Sequence, residues 1–467
     1  MCTTVPVSCT IVHLMTRELA RWRLSLFTLS FVVGIGMASW VTRTPAVRDG
    51  LGASTATMGL VLFGLSVGSM AGVLAGGPLV RRAGTRRVIV AGAGFLAAGV
   101  AVVALGAAAG SAPTVFAGLA LFGMGSGSGE IALNIDGAEL ERRLRRPVLP
   151  AQHGSFSLGT LVGALVGIVL TAASVPVPWH LLGCAAVMVA LAGWAVRGLP
   201  EASLGRRAVA GDLVVGVAVV DATVDAVVGD QPPGAARDRA TPDGATPGAV
   251  PVPVPDGRPV WRDPALVLLG VALLALAFAE GSANDWLPLL TVDGLGLSEA
   301  GGSMVFAAFA AVMTIGRFSG QVLVARMGSP RVLVASVVTS AVGVLLVSYA
   351  PHPALLVGGV ALWGLGASLG FPVAISVAGE DPDRPHERVS AVATAGYLAF
   401  LVGPPVLGLM GEQHGLRTAI LLVVALLALA LAALSVRSRL LASARPTSVP
   451  ASLDDARPDT APDDAVR

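Results

Sequence analysis

Long apolar runs alternate with short polar stretches along most of this chain. A helix that crosses the hydrocarbon core of a bilayer needs about 20 mostly apolar residues, and twelve runs reach that length. They cover residues 24–42, 56–80, 88–109, 113–135, 153–173, 178–196, 264–290, 301–324, 331–350, 354–378, 390–411 and 416–436. The pattern predicts twelve transmembrane helices, which we call spans 1 to 12.

One polar stretch occurs twice in nearly the same form. "DGLGASTA" begins at Asp49 and "DGLGLSEA" begins at Asp293, and the match continues without a gap to Ala91. A second match aligns residues 118–139 with residues 359–380. We therefore predict an all-α membrane protein whose twelve helices form two pseudo-symmetric six-helix bundles. Paired six-helix halves are a recurrent transporter architecture, with a solute site between the halves near the bilayer midplane.

The spans and the polar stretches between them also predict the boundaries of the parts. The parts are a tail over residues 1–23, a bundle over 24–196, a linker over 197–263, a bundle over 264–436 and a tail over 437–467. The linker is rich in Pro, Asp, Gly and Ala, which favours a largely disordered segment. Its apolar patch at 212–230 is either plain linker or a short interfacial piece, and translation starts either at Met1 or at Met15.

Arginine placement predicts the orientation of the bundle. The chain has 31 basic residues, all of them Arg, and they gather before span 1, between spans 2 and 3, between spans 4 and 5, and after span 12. Positive residues concentrate on the cytoplasmic side of membrane proteins. We therefore expect a multi-pass protein of the cytoplasmic (inner) membrane with both termini in the cytoplasm.

Composition narrows the class of function. Hydrophobic residues make up 54% of the chain, charged residues 13%, and the mean hydropathy is +0.78. A net charge of +2 does not indicate nucleic-acid binding, and three cysteines without metal-ligand spacing predict neither a metal site nor a disulfide framework. Six scattered histidines and the lack of a Walker A sequence argue against a membrane enzyme and against ATP hydrolysis. We expect no cofactor.

The stretch between spans 2 and 3 resembles a known signature. It contains Gly77, Leu79, Arg82, Gly84 and Arg86, in the pattern Gly-x-Leu-x-Asp-Arg-x-Gly-Arg-Lys of the major facilitator superfamily. The echo in the second half includes Arg317, Gly320, Arg326 and Gly328. Where the superfamily has its Asp, which helps to close the cytoplasmic gate, this chain has Arg81 and so departs from the usual gate pairing.

Two further stretches, residues 134–165 and 280–290, resemble a bacterial subgroup of that superfamily, the MosC-like, rhizopine-associated membrane proteins. The resemblance covers all twelve spans and implies alternating access to a central cavity. It also implies that spans 1, 4, 7 and 10 line the cavity and that the helices of spans 2 and 5 form the seam between halves. Both carry glycines four residues apart, among them Gly68 and Gly163, so they either slide or pack tightly.

Ionisable side chains inside a span are costly and usually functional. Span 7 carries Glu280 and Asn284, and span 4 carries Glu130 and Asn134. Each pair is four residues apart and so shares a helix face. One interpretation makes Glu280, and similarly Glu130, a proton-carrying carboxylate, with the asparagines binding a polar solute. The other places each carboxylate in a fixed interhelical hydrogen bond or salt bridge.

Further candidates lie near the ends of the spans. Arg43 either pairs with Asp285 or an anionic group, or reaches the outer interface. Trp40 and Trp286, at equivalent positions in the two halves, either stack on a solute or form an interfacial belt.

Three polar residues complete the set of candidates. His153 either takes part in proton movement or hydrogen-bonds the start of span 5. We expect Asp136 and Asp285 at the interfaces, and the alternative for each is a functional role, with Asp285 as a substrate-binding candidate. We expect Arg317 to be structural, about one turn from the cytoplasmic end of span 8.

These residues favour a secondary transporter for a small polar solute, sugar-like or cyclitol-like, that works with protons as a monomer in the lipid bilayer. The first alternative is an exporter of lipophilic or cationic compounds. A receptor or an enzyme is the remote one.

Overall fold

The computed structural model describes residues 7–146, 148–200, 259–350, 352–381 and 384–443. Within these ranges the regular elements are helices. Most of the predicted linker, including 212–230, and the stretch after residue 443 lie outside them.

Twelve long helices, which we number α1 to α12, correspond to the twelve predicted spans. They are Val7–Val41, Thr55–Ala83, Thr85–Ala108, Ala112–Leu144, Leu149–Ala172, Val177–Ala195, Pro264–Leu295, Glu299–Met327, Ser329–Tyr349, Pro353–Ala378, Pro385–His414 and Leu421–Ser443. Short helices at Thr44–Leu51 and Leu416–Ala419 lie in two of the turns. All twelve long helices are long and apolar enough to cross a membrane, which confirms the predicted fold class.

Helix packing repeats between the two halves. In the N-terminal half, α4 packs on α2 and α3, and α1 packs on α5 and α6. In the C-terminal half, α10 packs on α8 and α9, and α7 packs on α11 and α12. The halves meet where α2 packs on α11 and where α5 packs on α8, which are equivalent pairs under the pseudo-symmetry.

The repeated stretch "DGLG" marks the same turn in each half. Gly52 and Gly296 adopt the left-handed conformation, with φ of 56° and 69°, and end the preceding helix. Two residues later, Ser54 and Ser298 accept hydrogen bonds from backbone N–H groups at the starts of α2 and α8. Glycine tolerates positive φ, and serine is a preferred N-cap. These eight letters therefore encode the end of one helix and the start of the next.

A second pair of glycines supports the turn on the other side of each bundle. Gly84 and Gly328 have φ of 83° and 79° and donate 2.8 Å hydrogen bonds to the carbonyls of Val80 and Val324. The signature thus ends α2 and α8 in the same way and allows α3 and α9 to begin at the next residue.

The glycine strips have partners other than the expected ones. A Cβ added to Gly68 would overlap the backbone of Ala120 on α4, and one added to Gly163 would lie 2.8 Å from the carbonyl oxygen of Ile35 on α1. Both strips therefore allow close packing within the N-terminal half. The expectation that they smooth the seam between halves is wrong, because periodicity identifies a helix face and not the helix that covers it.

Candidate functional site

We call the side of the bundle at which α1 begins the terminal side, and the other the opposite side. Helices alternate in direction, so α1 and α7 run towards the opposite side while α4, α8 and α10 run towards the terminal side. The polar residues predicted for the cavity lie along these helices.

Glu280 forms an ion pair inside the C-terminal half. Arg317 Nη2 on α8 donates a 2.7 Å hydrogen bond to Glu280 Oε1 on α7. The Glu280 side chain is 11% exposed and that of Arg317 is 34% exposed. Next to the pair, Trp363 Nε1 on α10 donates to the carbonyl oxygen of Ala279 at 3.1 Å. Three helices of one half are therefore fixed around this carboxylate.

The position of Arg317 differs from the expected one. It lies ten residues before the end of α8 at Met327, about 15 Å along the helix axis at 1.5 Å per residue. It is bonded to a carboxylate and not to interface carbonyls. The sequence alone could not predict this ion pair, because Arg317 and Glu280 are 37 positions apart and lie on two different helices.

Glu130 has a different environment. It is exposed although the neighbouring Gly129 and Ile131 are buried, and it lies deep within α4. Within the described part of the chain it makes no ion pair. Tyr397, on α11 of the other half, lies within electrostatic reach of its carboxylate. Glu130 therefore faces the space between the halves.

Tyr397 is a further candidate residue near Glu130, and it is not among the residues predicted from the sequence. Its ring is partly buried and packs against an apolar cluster with residues of both halves and against a second cluster formed by the N-terminal half. It makes an edge-to-face contact with Phe371 on α10, with ring centroids 6.4 Å apart and planes at 63°. One turn further along α11, the carbonyl oxygen of Phe400 accepts a 2.9 Å hydrogen bond from Ser66 on α2. Its signal in the sequence is that the chain has only two tyrosines.

Two asparagines accompany the carboxylates, as their spacing predicts. Asn134 lies one turn beyond Glu130, and its Oδ1 atom is buried without a hydrogen-bond partner among the described residues. Asn284 lies one turn beyond Glu280 and is partly exposed. Asp285 beside it is also partly exposed. An unsatisfied buried acceptor is costly, so Asn134 is suited to a hydroxyl or amide donor.

Both tryptophans lie in the core. Trp40 is 4% exposed and Trp286 is 1% exposed, so neither forms an interfacial belt and neither presents its ring to a solute. The apolar crevices lined by Trp286 and by Trp40 have room for no more than about one water molecule, so they cannot admit a solute. For both tryptophans, burial of the large apolar ring outweighs contact of the indole N–H with the interface.

Arg43 neither reaches the interface nor pairs with Asp285. It is 3% exposed, and its Nε donates a 2.9 Å hydrogen bond to Nδ1 of His180 on α6. Burial lowers the pKa of the guanidinium, and the nearby carboxylate of Glu299, in the other half, opposes that shift. This pairing could not be predicted, because His180 is 137 positions away and lies in an apolar run.

Asp136 is buried in the protein core. It is 1% exposed, and its carboxylate accepts a 3.3 Å hydrogen bond from Trp22 Nε1 on α1. The guanidinium of Arg143 lies 5.3 Å from the centre of the same indole ring. Asp136 thus connects α4 to α1.

His153 and the charged signature residues face outwards. His153 is the fifth residue of α5 and is exposed, without a helix-start hydrogen bond in the described structure. Arg82 and Arg326 are exposed at equivalent positions, and Arg86 is partly exposed. Leu79 is 43% exposed. Gly77 is buried, and Gly320 packs on Leu369.

A set of contacts joins the halves on the opposite side. The guanidinium of Arg48 hydrogen-bonds the carboxylates of Asp49, in its own half, and Asp293, in the other half. Ser303 Oγ donates to the carbonyl oxygen of Thr42 at 3.0 Å.

Two further contacts of this set involve α2 and α11. The N–H of Ala56 donates to Glu412 at 3.1 Å. Gly59 and Gly408 lie so close that a Cβ on either would be under 3.0 Å from the other's backbone. The opposite side of the bundle is therefore closed. Among the described residues, no cluster of His, Cys, Asp or Glu is arranged to hold a metal ion.

Sequence comparison identifies relatives of this chain. A family model described as Major Facilitator Superfamily matches residues 4–140 and 293–461. The uncharacterized transporter y4wD of Sinorhizobium fredii is 28% identical over 86% of this chain and 94% of its own length. Membrane protein MosC of Rhizobium meliloti is 22% identical over 85% of each chain. The resemblance drawn from the loop signature is confirmed.

Solved structures share the fold. The nucleoside transporter NupG superposes with a TM-score of 0.67 at 14% identity, over 90% of this chain and 99% of that one. A variant of the E. coli fucose:proton symporter FucP superposes with a TM-score of 0.55 at 15% identity, over 89% of this chain and 98% of that one. At these identities the likeness concerns the fold alone.

Proposed function

This chain belongs to the Major Facilitator Superfamily, and from that premise we propose that it is a secondary transporter of a small, neutral, hydroxylated solute, coupled to protons. It works by alternating access in the cytoplasmic membrane, with the terminal side in the cytoplasm. The observation that carries the proposal is Glu130, an exposed carboxylate deep within α4 that faces the other half and makes no ion pair with the described residues.

Glu130 is the residue to which we assign the coupled proton. A carboxylate within a membrane span that faces the bundle interior or a water-filled space is commonly part of a proton pathway. Glu280 is the weaker candidate, because Arg317 already neutralises it in this state. Asp285 on α7 is a further carboxylate without an ion pair among the described residues. We assign the coupled proton to Glu130 because it is the more exposed of the two and lies nearer the other half.

The solute class rests on the donors and acceptors. The Glu130 carboxylate and the orphan Oδ1 of Asn134 accept hydrogen bonds, and Asn284 on the other half adds an amide. Such a set matches hydroxyl groups. Two structural neighbours are a nucleoside transporter and a fucose:proton symporter, whose solutes are of this kind, and this supports the proposal. We expect a monomer and no cofactor.

Purified protein in liposomes tests the proposal. Radiolabelled uridine, L-fucose and myo-inositol are offered under an inward proton gradient and then with a protonophore. We expect one of them to accumulate and the protonophore to abolish the accumulation. Glu130→Gln should lose accumulation but keep solute exchange without a gradient. Glu387→Gln, at an exposed position in the first turn of α11, is the matched control.

An exporter of lipophilic cations is the second candidate, since an unpaired carboxylate also attracts a cation. Accumulation or competition by tetraphenylphosphonium, with no response to the three neutral solutes, would replace the proposal by this one.

A further inference from the structure

We infer that the solute binds between two unlike walls, a carboxylate–amide wall on α4 and an aromatic wall formed by Phe371 and Tyr397, and that it is a ring with one apolar face. Tyr397 and Phe371 then determine specificity. The inference rests on the proposed function and adds the geometry of its site.

The two walls occupy equivalent positions in the two halves. The second sequence match aligns residues 118–139 with 359–380, which pairs Glu130 with Phe371 and Asn134 with Ile375. The helices that carry them, α4 and α10, have the same direction and the same neighbours in their own halves. The pseudo-symmetry therefore places an acidic group and an aromatic ring at the same depth, on opposite sides of the central space.

Tyr397 connects the walls. In its own half its ring contacts that of Phe371 edge to face. Across the interface it packs against the core cluster of the N-terminal half, on the side of Glu130. Both rings are only partly buried. Since aromatic residues bury large apolar areas and present a flat face, the partly buried rings offer a surface for stacking.

The acidic wall requires hydrogen-bond donors. Asn134 Oδ1 is a buried acceptor that has no partner in the described structure, and Glu130 makes no ion pair there. A hydroxyl edge satisfies both groups. The C-terminal wall has an apolar side chain, Ile375, where the N-terminal wall has Asn134. The difference between the walls selects a molecule with a polar edge and an apolar face, such as a pyranose, a cyclitol or a nucleoside.

Ligand binding to the detergent-purified protein tests this inference. Dissociation constants are measured by titration calorimetry for uridine, L-fucose and myo-inositol, and for D-mannitol as a hydroxylated chain without a ring. We expect at least one ring to bind and mannitol to bind at least tenfold more weakly. Tyr397→Leu and Phe371→Leu should each weaken the ring at least tenfold, and Tyr397→Phe by less than threefold.

The matched control is Tyr349→Leu, which removes the other tyrosine at a site 63% exposed, and it should not change affinity. The unfolding temperature of each variant shows whether it is folded. If Tyr397→Leu does not fold, Phe371→Leu alone tests the aromatic wall. If a ring binds and both leucine variants keep the wild-type affinity within twofold, the aromatic wall is wrong while the transport proposal stands. If no neutral ring binds the wild-type protein, both fail.

Discussion

Arg317 on α8 and Glu280 on α7 form a 2.7 Å ion pair within a single half of the protein. Its partners therefore stay together if the halves move as rigid bodies. The pair fixes a helix hairpin, and the carboxylate that faces the other half is Glu130. These two carboxylates have the same i+4 asparagine in the sequence, and the structure gives them different environments.

Removing one partner of this pair should destabilise the fold more than removing both. Arg317→Met leaves Glu280 unpaired in a site where its side chain is 11% exposed. We expect a loss of about 2 kcal/mol, below the range for fully buried pairs because Arg317 is one-third exposed. The double variant with Glu280→Gln should recover most of it. Unfolding in mixed detergent micelles measures both, and equal losses in single and double variants would contradict a structural pair.

Breaking the ion pair on the opposite side should open that side. Asp293→Asn removes the cross-half partner of Arg48, and Asp49→Asn removes the partner within the same half. Only the first should lengthen the distance between spin labels at Gly50 and Gln413, which are exposed on the two halves. The measurement is double electron–electron resonance in a cysteine-free background. Identical distance distributions in the two variants would show that Asp293 does not hold the halves together.

The contact of Gly59 with Gly408 should be intolerant of a methyl group. A Cβ on Gly59 would lie 2.8 Å from the carbonyl oxygen of Pro404 and 2.9 Å from Gly408 Cα, so α2 and α11 must separate in Gly59→Ala. We expect the same spin-label distance to lengthen without loss of folding. Gly193→Ala, where nothing lies within 4 Å, is the control. An unchanged distance in Gly59→Ala would mean that the seam relaxes by other routes.

The repeated turns should show matched costs. Gly84→Ala and Gly328→Ala each place a Cβ on a residue with φ near 80° and ψ of 159° and 150°, a conformation that essentially only glycine adopts and that costs another residue about 1–3 kcal/mol. We expect both to lower the unfolding temperature by similar amounts, and Gly94→Ala, in open space, to leave it unchanged. A loss at only one of the two sites would indicate that the turns have diverged in function.

The sequence predicted the helices, their number and the duplication, because each depends on local composition or on direct self-similarity. Contacts between residues on different helices are harder to predict from the sequence. The sequence predicts the wrong neighbour for the strip containing Gly68, and neither a pairing with Asp285 nor a position at the outer interface describes Arg43, because the sequence gives spacing along a helix and not contacts between helices. Trp40 and Trp286 each have an apolar ring and a polar N–H group, so their residue type is compatible both with the membrane interface and with the protein core.

Tyr397 has no periodic pattern to distinguish it, and only the rarity of tyrosine in this chain marks it. A single tyrosine in an apolar helix has no periodic partner, and its importance appears only when α11 is placed against α2 and α4. Glu130 is identified from the free-energy cost of a carboxylate inside a membrane span. Phe371, the residue at the equivalent position of the other half, is identified only when the two halves are aligned residue by residue.

Arg48 lies between two acids that are themselves repeat equivalents, Asp49 beside it and Asp293 across the interface. If the halves separate, Arg48 keeps Asp49 as its partner and Asp293 loses its counter-ion. Separation therefore costs one of the two attractions on the guanidinium and leaves one carboxylate to be solvated by water. Because these side chains are partly exposed, added salt should weaken the attraction that holds the two halves together on this side.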